Sequence, residues 1–225
     1  LIMTLRILRH LMIRKVSDGD YHELKHDYYA IQLYHADGAS TFLSILEKLT
    51  THFDQPMIHS YLLGANQGNL LMQVVHPTVQ ILRKMLVQVI RTRNVNFKDV
   101  TAIEILMKTY TLMQGVHPRC TSHNEAKEVQ REIIKILLTY TQSLTPDGMT
   151  TTNIHKSLWT QMIGEVIKYT LNGPYHFISG LMVLGELLPL PLPIPIQNHE
   201  LSKFESQRLI TERQLWSCLL YTSDA

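Results

Sequence analysis

Apolar residues recur every three or four positions through most of the chain, and no stretch shows the two-residue alternation of strands joined by hairpin turns. The pattern predicts an all-α fold of roughly eight to ten helices joined by short links. Residues 1–15 carry Leu1, Leu5, Leu8, Leu11 and Met12 at helical spacing, and Ser17-Asp18-Gly19-Asp20 supplies a turn. A second helix over 21–35 puts Leu24, Tyr28, Ile31 and Tyr34 on one side. Asp37-Gly38 is a break and an N-cap for a third, in which Phe42, Leu43, Ile45, Leu46 and Leu49 keep helical register until Asp54-Gln55-Pro56. Residues 57–68, with Gly64 and Gly68, read as a short helix and a loop.

Residues 69–93 hold the longest pattern. Val75, Val79, Leu82, Leu86 and Val89 form a stripe that Ile81, Met85 and Ile90 widen, and Pro77 either starts a helix there or kinks one. Asp99 caps the next helix, whose face is Ile103, Leu106, Met107, Tyr110 and Met113 and whose end is marked by Gly115 and Pro118. Ser122 with Glu125 fits a capping box. It opens a helix with Val129, Ile133, Ile136, Leu137 and Tyr140 inward and Lys127, Glu128, Arg131 and Glu132 outward.

After the turn Pro146-Asp147-Gly148, Met162, Ile163, Val166, Ile167 and Tyr169 recur at helical spacing, and Asn172-Gly173-Pro174 is a stop, a turn and a fresh start. The helix that follows runs to Leu188. Phe177, Ile178, Leu181, Met182, Leu184, Gly185 and Leu188 make it apolar or small around much of its circumference, which predicts burial between neighbours. Pro189, Pro191, Pro193 and Pro195 then forbid helix and leave an extended arm over 189–197 carrying Leu190, Leu192, Ile194 and Ile196. Such an arm is either a strap along its own helices or a docking segment for a partner. A last helix starts at Asn198 or Ser202 and runs to Trp216.

Ile45-Leu46-Glu47-Lys48, Ile81-Leu82-Arg83-Lys84 and Ile105-Leu106-Met107-Lys108 echo one another in mid-helix. Helix pairs of about 35 to 45 residues are the unit of armadillo- and HEAT-type solenoids, so the expectation is an α-solenoid over residues 1–216.

Composition narrows the field little. A charged fraction of 18% is low beside a hydrophobic fraction of 45%, which suggests that more surface than usual is packed or interfacial. The net charge of +2 advertises neither a nucleic-acid nor a membrane surface. Cys120 and Cys218 give no disulfide framework, in keeping with a reducing compartment. The apolar run 181–196 is broken by Glu186 and the prolines and falls short of the roughly twenty helical residues of a membrane span. The opening Leu1-Ile2-Met3 reads as the start of an internal piece. Residues 217–225 break from what precedes them and read as a non-native tail, similar to translated sequencing-adaptor read-through.

His22-Glu23-Leu24-Lys25-His26 satisfies H-E-x-x-H, which on a helix sets two imidazoles on one face to hold zinc, with the glutamate placed to activate water. That chemistry needs a third ligand. Glu47 is the candidate, while the H-x-x-G-x-x-H continuation is absent and Lys25 and Asp27 mark a solvated face, so chance occurrence is the better account. Cys120 follows Pro118-Arg119 with no recognisable partner histidine and reads as an ordinary thiol. Arg83, Lys84, Arg91 and Arg93 form a basic cluster that reads as a solvated helix end before it reads as an RNA contact. No glycine-rich phosphate loop or nucleophile elbow is present. On these residues alone the expectation is no catalytic, cofactor-binding or metal-binding site.

Three long strings carry a resemblance. At Asn96-Phe97-Lys98-Asp99-Val100-Thr101-Ala102-Ile103, from Leu33 to Leu46, and above all from Ser157 to Pro193 with its Gly-Leu-Met-Val-Leu-Gly-Glu-Leu-Leu-Pro-Leu-Pro-Leu-Pro, the chain resembles the Virilizer family. The likeness extends from about Tyr21 to Trp216. It implies an internal portion of the helical-repeat region of a very large nuclear protein. It implies a non-catalytic scaffold of the N6-methyladenosine messenger-RNA writer complex, in the nucleoplasm and nuclear speckles. It implies a WTAP-type adaptor, a Hakai-type RING subunit and other methyltransferase-complex subunits as partners, indirect contact with messenger RNA, a role in alternative splicing, and no cofactor.

Overall fold

The computed structural model of the chain describes residues 1–13, 20–53, 65–93, 99–116, 121–141 and 152–188. Among the described residues there are helices and no β-strand. They are α1 (Ile2–Met12), α2 (Asp20–His35), α3 (Gly38–Phe53), α4 (Ala65–Arg93), α5 (Thr101–Gln114), α6 (His123–Leu138), α7 (Thr152–Leu171) and α8 (Pro174–Leu187), with a 3-10 turn at Thr139–Thr141. The all-α expectation is met. The proline-rich arm at 189–197, the last expected helix, the tail 217–225, the turn Pro146-Asp147-Gly148 and most of 57–68 lie outside the described residues.

Consecutive helices pack as pairs: α1 on α2, α3 on α4, α5 on α6 and α7 on α8. The pairs follow one another. Helices α1 and α2 lie on α4, α3 lies on α5 and α4 on α6, and α5 continues onto α7 and α8. One apolar core threads through all of them, from Leu5 to Leu188.

Helix α4 is the hub of the first three pairs. Its stripe of Val75, Val79, Ile81, Leu82, Met85 and Leu86 is buried, and removing each side chain from water contributes about 1.5 to 3 kcal/mol. That sum explains how 29 residues stay helical through Pro77, where an interior proline costs about 3 kcal/mol. The Thr78 hydroxyl donates to the Val74 carbonyl at 2.6 Å in the same turn.

Hydrogen bonds between pairs fix the register of the later helices. Asp99 opens α5 by accepting from the Thr101 amide at 3.0 Å and the Thr101 hydroxyl at 2.6 Å. The carbonyl of Asp99 accepts from the Tyr140 hydroxyl at 2.6 Å, and burial, with a smaller contribution from the Asp99 charge, pushes the Tyr140 phenol far above its usual range. Thr111 and Tyr169 share a hydroxyl hydrogen bond at 2.7 Å between α5 and α7. The turn into α8 rests on Gly173, whose φ of 157° disfavours other residues, followed by Pro174 at the first helical turn.

Several faces differ from the pattern's expectation. Among the described side chains of α2, Ala30 is buried, Tyr29, Leu33 and Tyr34 pack against the core, and Tyr28 is exposed, while Leu24 lies outside the described side chains. Apolar and tyrosine side chains surround this helix so evenly that periodicity cannot choose a face. Ser122 sits at the N-cap of α6 but makes no side-chain capping bond, and Glu125, the other half of the expected box, stands 3.8 Å from His76 of α4. Asp27 and Glu132, read as solvent-facing, turn toward α4 and its cations. The largest departure is α8, where Phe177, Ile178, Leu181 and Met182 are exposed.

Candidate interaction surface

Helix α8 meets its neighbours through its smallest residues. Ser179, Gly180, Val183 and Leu187 face the core, and the Ser179 hydroxyl donates to Gln114 Oε1 of α5 at 2.5 Å. A Cβ on Gly180 would stand 1.9 Å from Thr170 Oγ1, so the glycine sets how closely α7 and α8 approach. The larger apolar residues are therefore on the other side. Ile178 is 64% exposed, Leu181 50% and Met182 49%, flanked by Tyr175 and Phe177 and continued by Leu171 at the end of α7. The acid of this helix, Glu186, stands near its end.

Helix α1 repeats the arrangement at the other extreme of the stack. Leu5 and Met12 are buried and bind it to the core, while Met3, Ile7 and Leu11 line the opposite side at four-residue spacing, with Met3 69% exposed. Every exposed large apolar side chain among the described residues except Leu70 belongs to the first or last helix pair. Apart from Leu70, the described residues of the inner pairs carry theirs inside or half-buried.

Beside α8 is a shallow open notch. Phe53 of α3, Lys108, Thr111 and Leu112 of α5, Tyr169 of α7, and Tyr175 and His176 of α8 line it. The Tyr169 and His176 rings meet edge to face with centroids 4.6 Å apart. It offers aromatic faces and one cation, Lys108, which Glu104 holds at 2.9 Å.

The chemical candidates do not converge on this surface. The backbone of α2 carries His22-Glu23-Leu24-Lys25-His26 in helical form, as the motif requires, but the side chains of His22 and Glu23 lie outside the described residues. His26 Nδ1 donates to the Leu11 carbonyl at 2.5 Å, tying α2 to the end of α1. Among the described residues no group of three or more His, Cys, Asp or Glu side chains is placed to hold a metal. Glu47, the candidate third ligand, is an exposed residue of α3. Of the basic cluster, Arg83 pairs with Glu132 of α6 and Lys84 pairs with Asp27 of α2 at 2.5 Å, so these two cations join helices. The side chains of Arg91 and Arg93, and Cys120, lie outside the described residues. No helix among the described residues is long and apolar enough to cross a membrane.

One buried group escaped the sequence reading. His76, beside Pro77, points from α4 at α6, with Nδ1 3.8 Å from Glu125 and Nε2 3.6 Å from Glu128. Burial, helped by Arg9, lowers its pKa against the opposing pull of Glu125, Glu128 and Glu132.

Among the described residues, the surface features that stand out are the exposed apolar faces of α1 and α8. The chain is 46% identical over 224 residues to Protein virilizer of Drosophila pseudoobscura pseudoobscura and 44% identical over 228 residues to that of Drosophila melanogaster, each match covering 98% of this chain. The chain carries the sequence of the Virilizer family. Protein virilizer homolog of Mus musculus and of Homo sapiens is 31% identical over 214 residues, 91% of the chain. The chain spans only 11 to 12% of the length of these Virilizer relatives. No protein-family model matches it.

Proposed function

We propose that this chain is an internal segment of an armadillo- or HEAT-like helical array, and that the array is a non-catalytic scaffold of a nuclear messenger-RNA N6-methyladenosine methyltransferase complex. The observation that carries the array is the placing of exposed apolar side chains on the first and last helix pairs, with the inner pairs sealed. Stacked repeats bury a continuous core against their neighbours and leave unsealed faces wherever a stack is interrupted. The packing of each helix pair on the next supports the same reading. The scaffold function rests on the Virilizer relatives. In this reading the array holds a WTAP-type adaptor, a Hakai-type RING subunit and further writer subunits, reaches messenger RNA through them, and works in the nucleoplasm and nuclear speckles.

The test is a pull-down from nuclear extract on the immobilised chain, checked for helical content by circular dichroism and repeated with nuclease. Recovery of writer subunits that survives nuclease is the expected result. A folded chain that recovers none of them sinks the reading for this segment. Elemental analysis of the same preparation separates it from a zinc hydrolase at His22 and His26, which requires stoichiometric zinc.

A further inference from the structure

We infer that the junction of α1, α4 and α6 is a proton-operated latch, in which a proton taken up by His76 tightens α4 on α6 and releases α1. The inference goes beyond the scaffold reading and does not depend on it. The side chain of His76 is only 9% exposed, and its Nε2 is buried with no hydrogen-bond partner among the described residues. Its two ring nitrogens face two carboxylates one turn apart on α6. Nδ1 stands 3.8 Å from Glu125 Oε2 and Nε2 stands 3.6 Å from Glu128 Oε2, and both separations are too long for a hydrogen bond. A neutral imidazole has one N–H to offer these acceptors, whereas the protonated ring has two, one on each edge. The cradle therefore suits the charged ring and stands slack around the neutral one.

The charges around the ring divide by helix. From α6, Glu125, Glu128 and Glu132 favour a positive His76, and from α1, Arg9 opposes it, while no described group of α2 or α3 bears on it. Glu132 is engaged by Arg83 and Lys135. Glu125 and Glu128, each more than half exposed, are the carboxylates that can close on the ring. Helix α1 carries no acid, so nothing on it gains when His76 charges. The Arg6 guanidinium donates to Gln73 Oε1 at 3.1 Å, one turn before His76 on α4, and keeps this stretch of α1 beside the ring. The bond from His26 Nδ1 to the Leu11 carbonyl also holds α1, and it survives acid because a protonated imidazole keeps that donor. Burial holds the proton off His76 until the pH is below its ordinary 6.5, a range in which carboxylates are ordinarily still ionised.

Amide hydrogen exchange of the full 225-residue chain follows the two helices separately. It is read by mass spectrometry at about pH 7.5 and 5.5, either side of the ordinary histidine range, after correction for intrinsic exchange rates. The latch predicts that α1 opens about fivefold more in acid, the size of a unit-charge repulsion near water, while α6 keeps or gains protection. Arg9→Gln, at an exposed position, removes the repulsion, and His76→Gln removes the titration. Each abolishes the acid response of α1 with helical content unchanged by circular dichroism, and Arg9→Gln decides alone if the buried substitution does not fold. Opening of α1 and α6 in equal measure overturns the latch and leaves His76 as a group that weakens the whole fold in acid. An α1 that does not respond to acid, or that still responds in the Arg9 variant, overturns it too.

Discussion

Leu82 in α4 is 0% exposed and Ile178 in α8 is 64% exposed, although both stand on strongly apolar helix faces. The difference lies in what surrounds each helix. Helix α4 has α1, α2, α3 and α6 packed around it, whereas among the described residues α8 has neighbours only on its core side. An apolar stripe states that a surface needs cover. It does not state that the cover lies within the same stretch of chain. Among the described residues, the inner helices show the demand satisfied and the outer ones show it left open, as the proposed array requires.

Truncations on the two helices give the widest contrast. Leu82→Ala leaves a cavity at the junction of several helices and costs about 3 kcal/mol, while Ile178→Ala costs under about 0.5 kcal/mol, both read by urea denaturation. Equal losses would mean that α8 is as enclosed as α4. Glycines sharpen the same contrast. Gly180→Ala drives a methyl into Thr170 and destabilises by about 1 to 3 kcal/mol. Gly164→Ala, at a helical position with nothing within 4 Å of its Cβ, stabilises by up to about 1 kcal/mol.

Ion pairs divide along the same line. A double-mutant cycle on Arg83 and Glu132, which join α4 to α6 with Glu132 12% exposed, should show a coupling of about 1 kcal/mol or more. The Glu165 and Lys168 pair on exposed α7 surface should show less than about 0.5 kcal/mol.

The smallest effect is on pH. The folded state holds the pKa of His76 below its ordinary 6.5, so the unfolded chain takes up the proton first and stability falls as pH drops through about 6.5. Arg9 opposes the charge, and Glu125, Glu128 and Glu132 favour it without overcoming burial. His76→Gln should flatten the stability profile between about pH 5 and 7. An unchanged slope would place the pH sensitivity elsewhere.

Periodicity found the described helices because each has a face that must be buried, and it placed α4 and α5 best because their stripes are continuous and their neighbours are present. It misread α2, where Tyr28 and Tyr29 offer equal apolar area on different sides. It misread α8 for a different reason. Ser179 and Gly180 look like weak positions in sequence, yet they are the contact surface because close approach to Thr170 admits nothing larger. Phe177, Ile178, Leu181 and Met182, which pattern reading assigns to a core, are then left outside, while Leu184 and Leu188 pack against it as expected. Nothing local marks Glu132 and Asp27 as inward-turned, since their partners, Arg83 and Lys84, are 49 and 57 residues away in sequence. His76 gave no signal, since a lone histidine before a proline matches no motif.

Methionine oxidation at Met3, compared between the isolated chain and the full-length protein, tests most directly whether the outer faces are interior surfaces of a longer array. Met3 is 69% exposed here, on the outer face of α1. An array predicts that Met3 reacts readily in the isolated chain and about fivefold or more slowly in the full-length protein. Equal rates in the two would contradict it, leaving α1 as a true outer surface and the stack complete at that end.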